Sequence, residues 1–246
     1  MAQMQTLPAR QHAAAANGAE TAAEVLARLL RRDPANSNAG VPVMPETSYV
    51  DHHLSVPVVF ALAPTVLIVP GLNGSGPDHW QSAWERERGD CRRADLGEWH
   101  DPEPARWVAR LDAAVRAISG PVVLAAHSLG CIATALWAKN RPADDHVVGA
   151  LLVAPCDPEA ANACEHLRRF APTPRTRLPF PSTVIASTND PYATAARSGE
   201  LAHDWGADFI NAGALGHINA RSGLGAWTDG QRVLHKFLQP RSRSAP

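Results

Sequence analysis

Ser128, Asp190 and His217 are the three residue types needed to make a serine hydroxyl attack a carbonyl carbon. A hydroxyl is a poor nucleophile at neutral pH, so an imidazole must take its proton. A carboxylate must then hold that imidazole in one tautomer and offset the charge it gains. The setting of Ser128 is the strongest of the three signals. It lies in PVVLAAHSLG, Pro121 to Gly130, where an apolar run (Val122 to Ala126) ends at His127-Ser128-Leu129-Gly130. An alanine-rich, helix-favouring stretch follows from Cys131 to Lys139. A buried strand passing into a helix through a serine between small residues is a nucleophile elbow. The turn is so tight that the residues two before and two after the serine are expected nearly to touch, which only small side chains allow, and they are Ala126 and Gly130. Glycine is usual at the first of these, so the chain departs by one methyl group.

The carboxylate and the imidazole each follow an apolar stretch of their own. Asp190 lies in Ser187-Thr188-Asn189-Asp190-Pro191-Tyr192, after Thr183–Ala186. His217 lies in Leu215-Gly216-His217-Ile218-Asn219, after Ala207–Ile210, in a glycine-rich turn that the other histidines lack. The chain order is therefore serine, acid, histidine. His127 adjoins the serine, but neighbouring side chains on an elbow point apart, so it is read as structural. Asp157 is a rival acid, because it also follows a strong apolar stretch, Val148–Val153. Both acids precede a proline. Asp190 is preferred because it follows the next strand along, and because the Ser187-Thr188-Asn189 run offers donors that could hold a carboxylate.

A glycine-rich loop, Pro70-Gly71-Leu72-Asn73-Gly74-Ser75-Gly76-Pro77, follows Val66–Val69. It lacks the G-K-[ST] ending of a phosphate loop. Beside a nucleophile elbow, such a loop supplies one N–H for a developing oxyanion, and the residue after the serine supplies the other. Those donors would be Leu72 and Leu129. The alternative is a purely structural turn.

The elements that must position these groups alternate regularly. Strand candidates are Val66–Val69, Cys91–Leu96, Val122–Ala126, Val148–Val153, Thr183–Ala186 and Ala207–Ile210. Pro77 can open a helix bearing Trp80 and Trp84 on one face. Asp101-Pro102 can open the next, with Trp107, Val108, Leu111, Val115 and Ile118 as its apolar face. A helix is expected from Tyr192 to Trp205. A last one opens with a capping-box spacing at Thr228-Asp229-Gly230-Gln231 and buries Val233, Leu234, Phe237 and Leu238. Such alternation implies a parallel sheet with helices on both faces, and ligands binding at the carboxyl ends of its strands.

At 246 residues the chain suits one domain plus an extra segment. Residues 1–60 are rich in Ala, Asn, Gln, Pro and Ser, and read as a disordered leader with one short amphipathic helix at Thr21–Arg32. Residues 61–240 read as the folded domain, and 241–246 as a frayed tail. The net charge of −1 gives no reason to expect nucleic acid as a partner. No apolar run reaches membrane-span length and no secretory signal is apparent, so the cytoplasm is the default location. Cys91, Cys131 and Cys156 border apolar runs and read as buried free thiols. Asp51-His52-His53 has no matching ligand set, and neither a dinucleotide fingerprint nor a zinc signature occurs, so no metal or cofactor is implied.

Taken together, the PGLNGSGPDHW, AHSLG, STNDPY and GHIN segments resemble the small serine hydrolases of retinoblastoma-binding protein nine and bacterial YdeN, over about residues 65–238. The resemblance implies a reduced α/β-hydrolase fold of about six parallel strands, with Ser128 as nucleophile, Asp190 as acid and His217 as base. It matches Leu72 and Leu129 to the oxyanion donors. Ala126 departs from the family's glycine, Pro70 from a frequent histidine, and Leu72 from an aromatic common in bacterial members. The function expected is hydrolysis of small carboxylic esters, or less readily amides, through an acyl-enzyme without a cofactor. A cofactor-free acyltransferase and a binding protein with a relict triad are the alternatives. The segment Asp157–Pro181 is long enough only for a small flap. Its Arg168, Arg169, Arg175 and Arg177 are either a solvated face or a means of selecting an anionic substrate.

Overall fold

Six of the apolar stretches become strands in the computed structural model, which describes residues 62–139, 141 and 146–239. The expected leader, its helix at 21–32, the Asp51-His52-His53 run and the tail lie outside the described residues. The strands are β1 (Thr65–Val69), β2 (Cys91–Arg93), β3 (Val122–His127), β4 (Val147–Val153), β5 (Ser182–Ala186) and β6 (Asp208–Asn211). They pair in the order β2-β1-β3-β4-β5-β6, and every pair is parallel. The connection out of β1 leads one way along the sheet and the connection out of β3 the other. A crevice therefore opens at the carboxyl ends of β1 and β3.

A sheet covered on both faces needs strands that are apolar at successive positions, not alternate ones. β3 meets this need: all six of its residues are buried. Val122, Leu124 and Ala126 join a core with Trp107, Leu111 and Ile132, while Val123 and Ala125 are buried on the opposite face.

The helices are α1 (Trp80–Glu87), α2 (Pro104–Arg116), α3 (Leu129–Ala138), the single turn α4 (Glu165–Arg168), α5 (Ala195–Trp205) and α6 (Thr228–Leu238). A 3₁₀ turn covers Ala220–Ser222. α3 carries hardly any polar side chain and is buried on nearly every face, as the helix after an elbow must be.

Helix starts differ from expectation where a side chain intervenes. α1 begins at Trp80, not Pro77, because the Nδ1 of His79 accepts the Gln81 N–H at 3.1 Å. α2 begins at Pro104, because the carboxylate of Glu103 accepts the Arg106 N–H at 2.8 Å. α5 starts at Ala195 under a Thr194 cap, so Tyr192 stays in the loop beside the site. The expected capping box of α6 is absent: Trp227 precedes the helix with left-handed backbone, and Gln231 turns its amide to the Ala226 carbonyl. Among the described residues no helix is long and apolar enough to cross a membrane.

Candidate active site

Ser128 sits between β3 and α3 with φ 53° and ψ −121°, a backbone that L-residues rarely adopt. Two hydrogen bonds hold it there. Its N–H donates to the Val153 carbonyl of β4, and its own carbonyl accepts from the Cys131 N–H, both at 3.0 Å. The need for a small residue at Gly130 has a different cause from the one expected. A methyl group built there would lie 2.4 Å from the Val69 carbonyl oxygen and 2.6 Å from that of Pro70. The end of β1 leaves no room, whereas the methyl of Ala126 fits inside the core.

The structure brings Ser128, His217 and Asp190 together. His217 Nε2 lies 2.8 Å from Ser128 Oγ, and His217 Nδ1 lies 2.8 Å and 2.9 Å from the two carboxylate oxygens of Asp190. The imidazole and the carboxylate are both nearly sealed from solvent. With Nδ1–H given to Asp190, Nε2 is free to accept the serine proton.

The loop bearing His217 is fixed from several sides. Trp80 Nε1–H donates to the Ile218 carbonyl, and His127 Nε2–H to that of His217, each at 2.9 Å. Ser187 Oγ accepts the Leu215 N–H at 2.9 Å, and Asn189 Oδ1 accepts the Gly216 N–H at 2.7 Å. These two residues therefore tie the acid loop to the histidine loop, and do not hold the Asp190 carboxylate as expected. Asp190 instead accepts the Tyr192 N–H at 2.9 Å. Asp157, the rival acid, points its carboxylate at Arg197, 3.3 Å away, and also accepts the Glu159 N–H.

The loop that carries Leu72 and the elbow that carries Leu129 are in contact. A methyl on Gly71 would lie 3.2 Å from the Leu129 nitrogen, so the glycine loop rests against the elbow. Among the described residues neither the Leu72 nor the Leu129 N–H has a protein acceptor, while the Ser128 N–H is already engaged.

A cavity of about 320 Å³ opens on Ser128 and His217. Its lining includes Leu72, Leu167, Cys164 and Tyr192, and also His79 and Arg221. Apart from Leu72, these wall residues were not singled out from sequence. His79 is one histidine of eleven, and Tyr192 falls at the start of the helix expected from Tyr192 to Trp205. Burial, with help from the nearby His217 and Arg93, lowers the His79 pKa to about 4. Burial likewise drives the pKa of His127 down, aided by His217 and His79. Both rings are neutral at pH 7.

The four arginines expected to crowd the flap do not line this cavity. Arg169 pairs with Asp101 and Glu165, Arg175 with Asp204 and Glu159, and Arg168 donates to the Ala161 carbonyl. Arg177 lies over Gly206. Among the described residues no three His, Cys, Asp or Glu side chains are grouped to hold a metal ion.

Residues 66–236 match the family described as Serine hydrolase. The chain belongs to the serine hydrolase family. A protein described as a YdeN-like hydrolase from Pectobacterium atrosepticum is 31% identical to this serine hydrolase. The match covers 72% of this chain and 94% of that one, with a TM-score of 0.64. The ydeN gene product of B. subtilis is 20% identical, with 71% and 98% of the two chains covered and a TM-score of 0.54. Est1E from Butyrivibrio proteoclasticus shares the fold at 14% identity, with 73% and 90% covered and a TM-score of 0.55. No curated protein matches the chain. This serine hydrolase is thus a YdeN-like member with the α/β-hydrolase fold.

Proposed function

We propose that this protein hydrolyses small carboxylic esters through an acyl-enzyme on Ser128. The observation that carries this reading is the unbroken chain from Ser128 Oγ through His217 Nε2 and Nδ1 to the Asp190 carboxylate, each link under 3 Å. As His217 Nε2 takes the hydroxyl proton, Ser128 Oγ bonds to the ester carbonyl carbon. The carbonyl π electrons move to oxygen, and the Leu72 and Leu129 N–H groups hold that oxyanion. The carbonyl then reforms, the ester C–O bond breaks, and His217 returns its proton to the departing alcohol. A water repeats the sequence on the acyl-enzyme, releasing the acid and restoring Ser128.

Esters rank above amides because an alcohol leaves more readily than an amine. The cavity of about 320 Å³ favours short acyl groups over lipid chains. A relict site is disfavoured, because a site freed from catalysis has no reason to keep two aligned links and a strained serine.

The test is turnover of 4-nitrophenyl acetate and butyrate by wild-type protein and Ser128→Ala. The reading expects saturable hydrolysis that falls at least a thousandfold in the variant. Equal rates in both proteins would overturn it. Adding a primary alcohol or amine and following the acyl product separates hydrolysis from acyl transfer.

A further inference from the structure

We propose that Arg221 selects esters that carry a carboxylate, binding that carboxylate while the ester carbonyl sits at Ser128. The inference rests on the esterase reading above and adds the substrate class.

Arg221 lines the cavity that opens on Ser128 and His217. It also lines a second hollow of about 360 Å³, which shares His217, Asn219 and Arg221 with the first. No aspartate or glutamate lines either hollow among the described residues. His79 and His127, which line the cavity beside the base His217, are uncharged at pH 7. Arg221 is therefore the lasting positive charge of the wall.

Its guanidinium is also unspent. Arg169, Arg175 and Arg197 each reach two or more carboxylates, yet among the described residues the Arg221 side chain has no ion pair and no hydrogen-bond acceptor. The backbone that carries it is nonetheless fixed. Asn219 Oδ1 accepts the Arg221 N–H at 3.0 Å, and Ser222 Oγ closes the turn by donating to the Leu215 carbonyl at 2.6 Å. The backbone of Arg221 is thus held on the turn that follows His217, and its exposed side chain reaches the cavity from there. A guanidinium matches a carboxylate through two parallel N–H donors. Leu72, Leu167 and Cys164, which line the same cavity, suit the apolar stem between the two groups.

The experiment compares matched esters. 4-Nitrophenyl hemiglutarate against 4-nitrophenyl valerate places the charge on the acyl side. 4-Acetoxybenzoate against phenyl acetate places it on the alcohol side. Wild type should favour the carboxylate partner of at least one pair by about 10- to 100-fold in kcat/KM, through KM. Arg221→Gln should bring that ratio to about one, and Arg221→Lys should keep part of it. No preference in either pair, or a ratio unmoved by Arg221→Gln, would overturn the proposal. Binding separates this failure from failure of the esterase reading. Ser128→Ala should bind glutarate by calorimetry, and Ser128→Ala with Arg221→Gln should lose that binding. Turnover without charge preference sinks the Arg221 role alone. Glutarate binding without any ester turnover supports the Arg221 role and sinks the chemistry.

Discussion

Gly71 and Ser128 are in contact: a methyl group on Gly71 would lie 2.9 Å from the Ser128 Cβ and 3.0 Å from the His127 carbonyl oxygen. Side chains do not approach that closely, so Gly71→Ala must move either the glycine loop or the elbow. Either shift separates the Leu72 N–H from the oxyanion position proposed above, and a shift of the elbow also moves Ser128 relative to His217. Losing one such donor costs on the order of 10²–10³ in kcat. A loss of about 10- to 1000-fold in kcat with KM within threefold is expected, measured on a 4-nitrophenyl ester. An unchanged kcat would remove Leu72 from the hole.

Asp190 and Asp157 separate catalysis from stability. Asp190→Asn lets His217 adopt the wrong tautomer, and in a serine protease that exchange costs about 10⁴-fold in kcat. A fall of two to four orders of magnitude is expected here. Asp157 serves Arg197, which also pairs with Glu159 and Glu200, so Asp157→Asn should stay within about threefold in kcat. It should cost about 1 kcal/mol of stability, or roughly 2–4 °C in Tm. The reverse pattern in kinetics would move the acid to Asp157.

Much of this site was legible in the chain because each of its parts has a local cause. The strand–serine–helix passage, the acid after β5 and the histidine after β6 are all readable from apolar runs and the turns that end them. What escaped depends on contacts distant in sequence. Gly130 is small because of Val69 and Pro70, some sixty residues earlier, and not because of Ala126. Ser187 and Asn189 looked like donors to Asp190, yet they grip Leu215 and Gly216. His79 and Glu103 set helix starts that Pro77 and Asp101-Pro102 were expected to set, because a cap depends on side-chain geometry and not on residue type alone. Arg221 carried no motif, and its meaning comes only from the wall it stands in.

Acid should weaken the fold through His79. Its pKa is about 4 in the folded protein and about 6.5 when unfolded. Between these values the unfolded chain binds a proton that the folded chain refuses, so stability falls as pH drops from about 6.5 to 4. His79→Asn keeps a side chain able to cap α1 and removes the titration. Urea unfolding at pH 7 and pH 4.5 should show the wild type losing on the order of 2 kcal/mol more than the variant. Equal losses would mean that His79 is not the buried neutral group.

Thiol chemistry should find one cysteine. Burial raises the pKa of Cys91 to about 11 and pushes those of Cys131 and Cys156 well up, whereas Cys164 is exposed and lines the cavity. A bulky maleimide should add once to the native protein, at Cys164, and reduce ester turnover by obstructing the cavity. Cys164→Ser should keep its turnover under the same treatment. Inhibition that persists in Cys164→Ser would place the reactive thiol elsewhere.

The central claim is that Ser128 is a nucleophile activated by His217. Intact-mass measurement after treatment with a fluorophosphonate tests it most directly, since the reagent needs an activated serine and no knowledge of the substrate. One phosphonyl adduct should appear on the wild type and map by peptide analysis to Ser128. None should appear on Ser128→Ala, and labelling of His217→Ala should be slower by at least a hundredfold. A folded wild-type protein that stays unlabelled, or one labelled at another serine, would contradict the claim.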